Sequence, residues 1–260
     1  MLKKAILYIF SAAIIISGCS GKKDDRSVSL TISAAASMKD ALSDIQKKYE
    51  KSHPEIKLYF NFGASGVLQQ QISQGAEVDL FLSAAKEEFE QLEKSGDIDR
   101  EYSSNLVGNE IVLVIPKGSE NRTSDFQNLS INKIKEIAIG SPESVPAGMY
   151  AQETLESLGI WSDVKEKIIY TKDVRQVLTY VETGNVDSGM VYKTDALVSK
   201  KVEIAATASD EMHEPIIYPA GVIKGSAHYR EAIGFYEYLK SKDALSVFEK
   251  YGFEVLGAKE

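Results

Sequence analysis

The chain has 260 residues, a formal net charge of −8 and a single cysteine. An acidic balance of this size argues against a nucleic acid partner and against a broad basic surface for anionic lipids. Because there is no second cysteine, an intramolecular disulfide is excluded and the fold must depend on its apolar core.

The N-terminus has the pattern of an export signal. Lys3 and Lys4 precede an apolar segment, residues 5–16, which is too short to span a bilayer comfortably. The Ile-Ser-Gly-Cys sequence that ends at Cys19 resembles a bacterial lipobox, which implies cleavage before Cys19 and lipid on that residue. Loss of the two lysines would bring the net charge to −10, so we expect any bound anion to be held by local hydrogen bonds.

Apolar strand-like segments alternate with helix-like segments, which predicts an α/β architecture with largely parallel sheets. The predicted strands are residues 28–33, 56–62, 78–82, 111–115, 137–140, 189–192, 202–205 and 216–223, the last interrupted by Pro219. The predicted helices are residues 38–49, 67–72, 85–94, 149–158, 174–182, 229–240 and 244–251. Two prolines and a glycine within residues 141–148 predict a loop there.

The length and the number of strands predict two lobes behind a short leader. We expect a lipoprotein signal peptide at residues 1–18 and a polar, lipidated tether at residues 19–27. Lobe I is predicted to comprise residues 28–108 and 215–260, and lobe II residues 109–214.

Ser37 lies where the first strand turns into a helix. It is predicted to cap that helix, with Asp40 in the position of a capping-box carboxylate. A helix start also directs unpaired N–H groups and the positive end of its dipole outward, as an anion site requires. A lone Ser-x-x-Asp is nevertheless more often a simple cap than a binding site.

Four further positions share this design. Ser65, Ala147 and Val174 each lie where a strand or loop passes into a helix, and Tyr192 ends a strand. Ligands of open α/β sheets bind beyond the carboxyl ends of the strands, so these positions are candidates for one crevice. Taken one at a time, Val174 is more often ordinary core, Ala147 a turn residue and Tyr192 a strand aromatic than a ligand.

Six segments together carry a resemblance to a known family. The most specific is Val-Pro-Ala-Gly at residues 145–148 with the downstream Tyr150 and Ala151. Over residues 28–255 the chain resembles the ModA family, the molybdate-binding proteins of ABC-type molybdate importers. The segments are residues 34–42, 62–68, 79–84, 140–151, 173–175 and 189–192.

The resemblance implies a two-lobed periplasmic-binding-protein type II fold with a ligand cleft between the lobes. It implies that Ser37 and Ser65 bind the anion through hydroxyl and backbone N–H, Ala147 and Val174 through backbone N–H, and Tyr192 through its phenol. No cofactor and no metal directly coordinated by side chains is implied, since molybdenum is carried as the oxyanion.

The function implied by the resemblance is transport rather than catalysis. The chain would be a monomeric lipoprotein at the outer face of the cytoplasmic membrane. It would capture molybdate, and tungstate with it, and deliver the anion to an ABC permease and its ATPase.

The chemistry of the anion agrees with this donor set. Molybdate is a tetrahedral dianion that only accepts hydrogen bonds, so a neutral site made of donors suits it and a carboxylate would repel it. Ser65 departs from the family pattern, because Ala64 and Gly66 flank it where neighbouring serines are common. We expect Arg175 to pair with an acidic residue such as Asp173 rather than to bind the ligand.

Other functions stay open on the residues alone. A site for another oxyanion such as sulfate, or for iron held by tyrosines, would belong to the same class of binding protein. A serine hydrolase would use Ser65, but Val67 occupies the final glycine position of a nucleophile elbow and none of the three histidines is placed as an evident base. Zinc ligands are scarce, and a lipid-anchored scaffold would have no need of several donor-lined turns.

Overall fold

The computed structural model describes residues 27–119, 123–131 and 133–256. The predicted signal peptide, Cys19 and all but the last residue of the predicted tether lie outside these residues. Within them, no helix combines the length and the apolarity needed to cross a membrane.

Strands and helices alternate along the described chain. The strands are β1 (Val28–Ala35), β2 (Ile56–Gly63), β3 (Leu80–Leu82), β4 (Ile98–Gly108), β5 (Ile111–Pro116), β6 (Ile137–Gly140), β7 (Ile168–Thr171), β8 (Ser188–Tyr192), β9 (Val202–Thr207), β10 (Ile217–Ile223) and β11 (Glu254–Val255). The α-helices are α1 (Lys39–Ser52), α2 (Ser65–Ser73), α3 (Lys86–Ser95), α4 (Pro146–Ser157), α5 (Trp161–Val164), α6 (Val174–Glu182), α7 (Lys193–Val198), α8 (Tyr229–Leu239) and α9 (Lys242–Lys250).

The strands form two separate sheets, which confirms the predicted two-lobed α/β fold. One sheet has the order β11-β4-β10-β3-β1-β2 and the other the order β7-β6-β8-β5-β9. The chain passes between the sheets twice, after β4 and again after β9. The lobe boundaries given above remain our proposal.

The expectation of largely parallel sheets is wrong, because each sheet is mixed. In the six-stranded sheet β1 is parallel to β2 and β3, whereas β10 is antiparallel to β3 and β4. In the other sheet β5 is antiparallel to both of its neighbours. Every antiparallel pair includes β4, β5, β9 or β10, the strands next to the two passages between the lobes.

Two local predictions also change. Helix α4 begins at Pro146, so the predicted loop is shorter and ends at Val145; proline suits the first helical position because it lacks an N–H that would be unpaired there. Pro219 does not interrupt β10, which continues past it with a shift of register at Tyr218 and Pro219.

The core of the first lobe follows from the sequence pattern. Leu30 and Ile32 of β1 are fully buried, and the predicted apolar face of α1 packs against the sheet through Leu42, Ile45 and Tyr49. This packing fixes the position of α1, and with it the position of the residues that join β1 to α1.

Candidate functional site

All five residues predicted to bind the anion line one cavity, to which both lobes contribute. The cavity is small, with a volume of about 10 Å³. Its walls are formed by Ala35, Ala36, Ser37, Gly63, Ala64, Ser65, Ala84, Val145, Pro146, Ala147, Asp173, Val174 and Tyr192.

The register of the parallel strands explains why these residues converge. Ala35 at the end of β1 pairs with Gly63 at the end of β2, so Ser37 and Ser65 each lie two residues beyond a paired position. In the other sheet β6 is parallel to both β7 and β8, and their carboxyl ends meet at one edge. That edge carries the chain into α4, into α6 and to Tyr192.

Ser37 does not cap α1, contrary to the prediction. A single 3-10 turn, Ala36–Met38, precedes α1 and places Ser37 inside the helical segment. The hydroxyl of Ser37 lies 3.0 Å from the phenol oxygen of Tyr218 instead. Its backbone N–H belongs to the first turn, where a helix offers no intrahelical acceptor.

Ser65 is the first residue of α2 and is buried. Its hydroxyl oxygen accepts a hydrogen bond of 2.9 Å from the backbone N–H of Ala84. A hydroxyl that accepts from an N–H keeps its own proton to donate. Ser65 therefore offers a donor to the cavity.

The starts of α4 and α6 supply backbone donors from the second lobe. Ala147 is the second residue of α4 and Val174 the first of α6, so their N–H groups precede the intrahelical bonds. Asp173 lines the cavity, but its carboxylate accepts a hydrogen bond of 2.8 Å from the N–H of Gln176 and so caps α6.

Two glycines allow the first turn of α4 to lie against the end of β6. A Cβ on Gly148 would overlap the carbonyl oxygen of Gly140, and one on Gly140 would overlap the side chain of Val145. Gly140 and Gly148 are therefore both needed for close packing. For Gly148, the sequence had indicated only a role in a loop.

Tyr192 presents a phenol that stays protonated. Burial raises the pKa of Tyr192 well above its ordinary value, so the group remains a donor throughout the physiological range. Its hydroxyl donates to the carbonyl oxygen of Ala84 over 3.5 Å. A hydrogen bond of this length is weak, so little binding energy is lost when the proton turns to another acceptor.

Arg175 pairs with carboxylates, as expected, but not with Asp173. One guanidinium nitrogen, Nη2, lies 2.5 Å from Oδ2 of Asp40. Another, Nε, lies 2.6 Å from Oδ1 of Asp195, and this second pair lacks the alignment of a hydrogen bond. Asp40 belongs to α1 in one lobe, and Arg175 and Asp195 to α6 and α7 in the other. Asp40 therefore joins the lobes through Arg175 and does not form the predicted capping box.

Asp195 is fully buried. Burial raises the pKa of Asp195 to about 6, although the nearby Arg175 lowers it. The Asp40–Arg175–Asp195 cluster is thus a charged neighbour of a cavity whose hydrogen-bond donors are uncharged, since Arg175 follows Val174 directly. Nη2 of Arg175 also lies 3.4 Å from the backbone oxygen of Ser37.

A second contact joins the lobes at Gly66. Its N–H donates to the carbonyl oxygen of Ser144 over 3.1 Å. A Cβ at Gly66 would lie 2.9 Å from that same oxygen, which is closer than such atoms normally approach. The absence of a side chain at Gly66 therefore serves the approach of the other lobe.

The contacts around Ser65 do not favour a hydrolase. Its oxygen accepts from Ala84, while His53 stacks on Tyr49 and Nδ1 of His213 lies 2.8 Å from the carbonyl oxygen of Glu214. In the part of the chain that the structure describes, no group of three or more His, Cys, Asp and Glu residues could hold a metal ion.

Sequence reasoning missed the residues behind the cavity wall. Tyr218 contacts Ser37, Asn109 contacts Tyr218, and Asp195 pairs with Arg175, and in each case the partner is distant in sequence. Their only local signals are a tyrosine before Pro219, and an asparagine and an aspartate near passages between elements, which are common features of any chain.

Comparison with known proteins shows what this chain is similar to. The model of the bacterial extracellular solute-binding protein family matches residues 30–254. A Bacillus subtilis (strain 168) protein named as a candidate ABC transporter substrate-binding lipoprotein, YvgL, is 54% identical over 97% of this chain and 99% of its own. The molybdate-binding protein ModA of Haemophilus influenzae is 37% identical over 94% of this chain and 96% of its own.

A solved structure of a substrate-binding domain is also similar to this chain. The substrate-binding domain of a candidate molybdenum ABC transporter from Clostridium difficile is 40% identical, with a TM-score of 0.69, and covers 89% of this chain and 100% of its own.

Proposed function

Because the chain belongs to the family of bacterial extracellular solute-binding proteins, we propose that it captures molybdate for an ABC importer. The observation that carries the proposal is the cavity itself. Hydroxyl and backbone N–H donors from both lobes surround it, and neither lysine nor arginine is among its lining residues. The relatives named for molybdate support the same ligand.

The proposed ligands are Ser37, Ser65, Ala147, Val174 and Tyr192. Each would donate to an oxygen of the dianion: the serines through hydroxyl and N–H, Ala147 and Val174 through N–H, and Tyr192 through its phenol. Hydrogen bonds to a charged acceptor are worth about 1.5 to 3 kcal/mol each, so several of them hold a dianion without a cation.

Size and donor geometry are the proposed basis of selectivity. Tungstate matches molybdate closely in size and charge, and we propose that it binds as well. Sulfate is smaller, and rigid donors set for the larger anion would leave some of its hydrogen bonds long or unmade. Hydrogen phosphate carries a proton, which the five proposed ligands do not accept when they act as donors.

Delivery follows from the family role. We propose that the lobes hinge open and closed around the anion and that an ABC permease, driven by its ATPase, recognises the closed form of the monomer. An anion favours closure only through contacts that the open form lacks, and donors on both lobes provide such contacts.

Anchoring is proposed through lipid on Cys19, at the outer face of the cytoplasmic membrane. The lipobox sequence and the lipoprotein name of the Bacillus subtilis relative support it. In cell fractionation, Cys19→Ser should release the protein from membranes. A variant that stays with the membrane would rule out a lipid anchor at this cysteine.

The ligand is tested by titration calorimetry on residues 20–260 with molybdate, tungstate, sulfate and phosphate. We expect molybdate and tungstate to bind far more tightly than the other two anions. Equal or stronger binding of sulfate would overturn the molybdate assignment and favour the other oxyanion.

A further inference from the structure

Tyr218 lies behind the cavity wall and is not one of the cavity residues. It belongs to β10, its side chain is fully buried, and burial raises the pKa of its phenol well above the ordinary value. The phenol is therefore a permanent O–H group enclosed by protein, and its proton needs an acceptor.

The contacts of that phenol decide which way its proton points. Its oxygen lies 3.1 Å from Nδ2 of Asn109 and 3.0 Å from Oγ of Ser37. The backbone N–H of Glu110 donates to Oδ1 of Asn109 over 2.9 Å, which identifies Oδ1 as the amide oxygen and Nδ2 as the NH₂ group. An NH₂ group only donates, so Tyr218 accepts from Asn109.

The proton of Tyr218 is then left for Ser37. Among the hydrogen bonds of the described residues, Ser37 is the one partner of Tyr218 able to accept. Once Oγ of Ser37 accepts from Tyr218, its own proton is directed elsewhere, and Ser37 lines the cavity. Ala84 has the same effect on Ser65, because a backbone N–H occupies the acceptor side of that hydroxyl.

We propose that Tyr218 and Asn109 are positioning residues, which orient the hydroxyl of Ser37 so that it presents its proton to the bound anion. Neither residue touches the anion. Their effect is to remove the alternative orientation, in which Ser37 would donate to Tyr218 and present a lone pair to a dianion.

The same network connects the site to the passage between the lobes. Asn109 lies between β4 and β5, and its Nδ2 also donates to Oγ1 of Thr194 over 2.9 Å. Thr194 follows Tyr192 by two residues, and the ring of Tyr192 packs edge-on against that of Tyr218 at 5.6 Å between centroids. One amide group thus contacts Tyr218, which bonds Ser37 of one lobe, and Thr194, which follows Tyr192 of the other.

The test is a double-mutant cycle of Tyr218→Phe and Ser37→Ala, read as dissociation constants by calorimetry. We expect Tyr218→Phe to weaken anion binding about threefold to tenfold, the range of one hydrogen bond. In the Ser37→Ala background the same substitution should change the dissociation constant by less than about twofold, because no hydroxyl is left to orient.

The matched control is Tyr236→Phe. Tyr236 is also buried, and its hydroxyl donates to Oγ of Ser104 over 2.9 Å, away from the cavity. It should leave binding unchanged. Equal effects of Tyr218→Phe and Tyr236→Phe, or an equal loss from Tyr218→Phe with and without Ser37, would overturn the proposal and assign Tyr218 to packing alone.

Asn109→Asp reverses the direction of the network and is the second variant. An aspartate accepts the proton of Tyr218, so the phenol oxygen becomes an acceptor to which Ser37 can donate instead of to the anion. Binding should fall at least tenfold, and by a smaller factor when Ser37→Ala is also present, since only repulsion by the added charge then remains. Equal losses in the two backgrounds would overturn the proposal.

The proposed role of Tyr218 rests on the anion-binding function proposed above, and the two fail separately. The cycle is run with whichever of molybdate, tungstate, sulfate and phosphate the wild-type protein binds most tightly. A preference for sulfate overturns only the molybdate assignment, a cycle without coupling overturns only the orienting role, and no binding of any of the four overturns both.

Discussion

The cavity and the cluster beside it use opposite electrostatic strategies. The cavity offers neutral hydroxyl and N–H donors, whereas Asp40, Arg175 and Asp195 form a cluster of full charges directly behind Val174. The guanidinium of Arg175 is paired with two carboxylates, and it also contacts the backbone oxygen of Ser37.

The difference separates selection from closure. A site of neutral donors distinguishes anions by their size and by whether they carry a proton. The net negative charge of the chain does not attract anions in general. Charge is used instead where α1 of one lobe meets α6 and α7 of the other. On this view the donors set which anion binds, and the charged cluster sets how firmly the lobes stay together.

The largest effect is expected when charge is moved into the neutral region. Ser65→Asp removes a donor and adds a carboxylate beside a dianion, and two such charges about 4 Å apart repel by several kcal/mol even at an effective dielectric constant of about 20. Molybdate binding should fall by more than about a thousandfold in calorimetry.

Ser65→Ala is the matched control, because it removes the donor without adding charge. It should lose only about 1.5 to 3 kcal/mol. If both substitutions weakened binding equally, the neutrality of the cavity would have no part in its function.

The next effect is expected when charge is removed from the charged region. Arg175→Gln leaves Asp195 buried without its cation, and breaking a buried pair in this way costs about 3 kcal/mol of the free energy of unfolding. Lys193→Gln, which breaks the exposed pair with Glu110, should cost less than about 1 kcal/mol. Denaturant unfolding measures both.

The same variant separates closure from selection. Arg175→Gln should weaken molybdate and sulfate by a common factor, because the donors are untouched while the contact between the lobes is lost. A change in the ratio of the two affinities would show that Arg175 takes part in choosing the anion.

The charged cluster should also respond to pH. Because the folded-state pKa of Asp195 is raised from 3.8 to about 6, its protonated form favours folding; that stability is fully present below about pH 4 and is lost as the pH rises through about 6. Over this window the free energy of unfolding should fall by at most about 3 kcal/mol relative to Asp195→Asn.

The comparison with Asp195→Asn isolates this group from others that titrate nearby. Hydrogen bonds and charges lower the pKa of Asp44, with Tyr251 as the main cause, so that residue gives stability that is lost as the pH falls. Asp44 is unchanged in the variant and cancels. A difference between the two proteins that rises with pH would contradict the buried state of Asp195.

Much of the neutral region could be predicted from the sequence, because its signals are local. The alternation of apolar residues in β1 and β2 predicts two strands of similar length. Parallel pairing of these strands then brings Ser37 and Ser65 to the same edge of the sheet. The resemblance around Val145–Gly148 supplied the matching positions of the second lobe. The prediction that Ser37 is a cap was wrong, because a 3-10 turn, which leaves no clear sequence signal, extends the helix by one turn.

The charged region could not be predicted in the same way. Arg175 and Asp40 are 135 residues apart in different lobes, so their pairing depends on how the lobes meet. Ser37 and Tyr218 are 181 residues apart and come together because β10 returns to the sheet that contains β1. Strand β4 was missed for a related reason: its sequence from Asp99 to Asn105 is polar, and only pairing with β10 makes it a strand.

The smallest effect is expected at the other contact between the lobes, which carries no charge. Gly66→Ala places a Cβ 2.9 Å from the carbonyl oxygen of Ser144, so the lobes must separate by a few tenths of an ångström to relieve it. We expect molybdate binding to weaken by about 1 kcal/mol, the order of one hydrogen bond, since the Gly66 bond to Ser144 lengthens.

Gly225→Ala, at an exposed position with open space around it, should leave binding unchanged. Because alanine also favours the helical state over glycine by about 1 kcal/mol, Gly66→Ala should not destabilise α2 itself. Thermal unfolding without anion should therefore show no loss, while calorimetry shows weaker binding; a variant that loses stability but binds normally would place the contact outside the closure of the lobes.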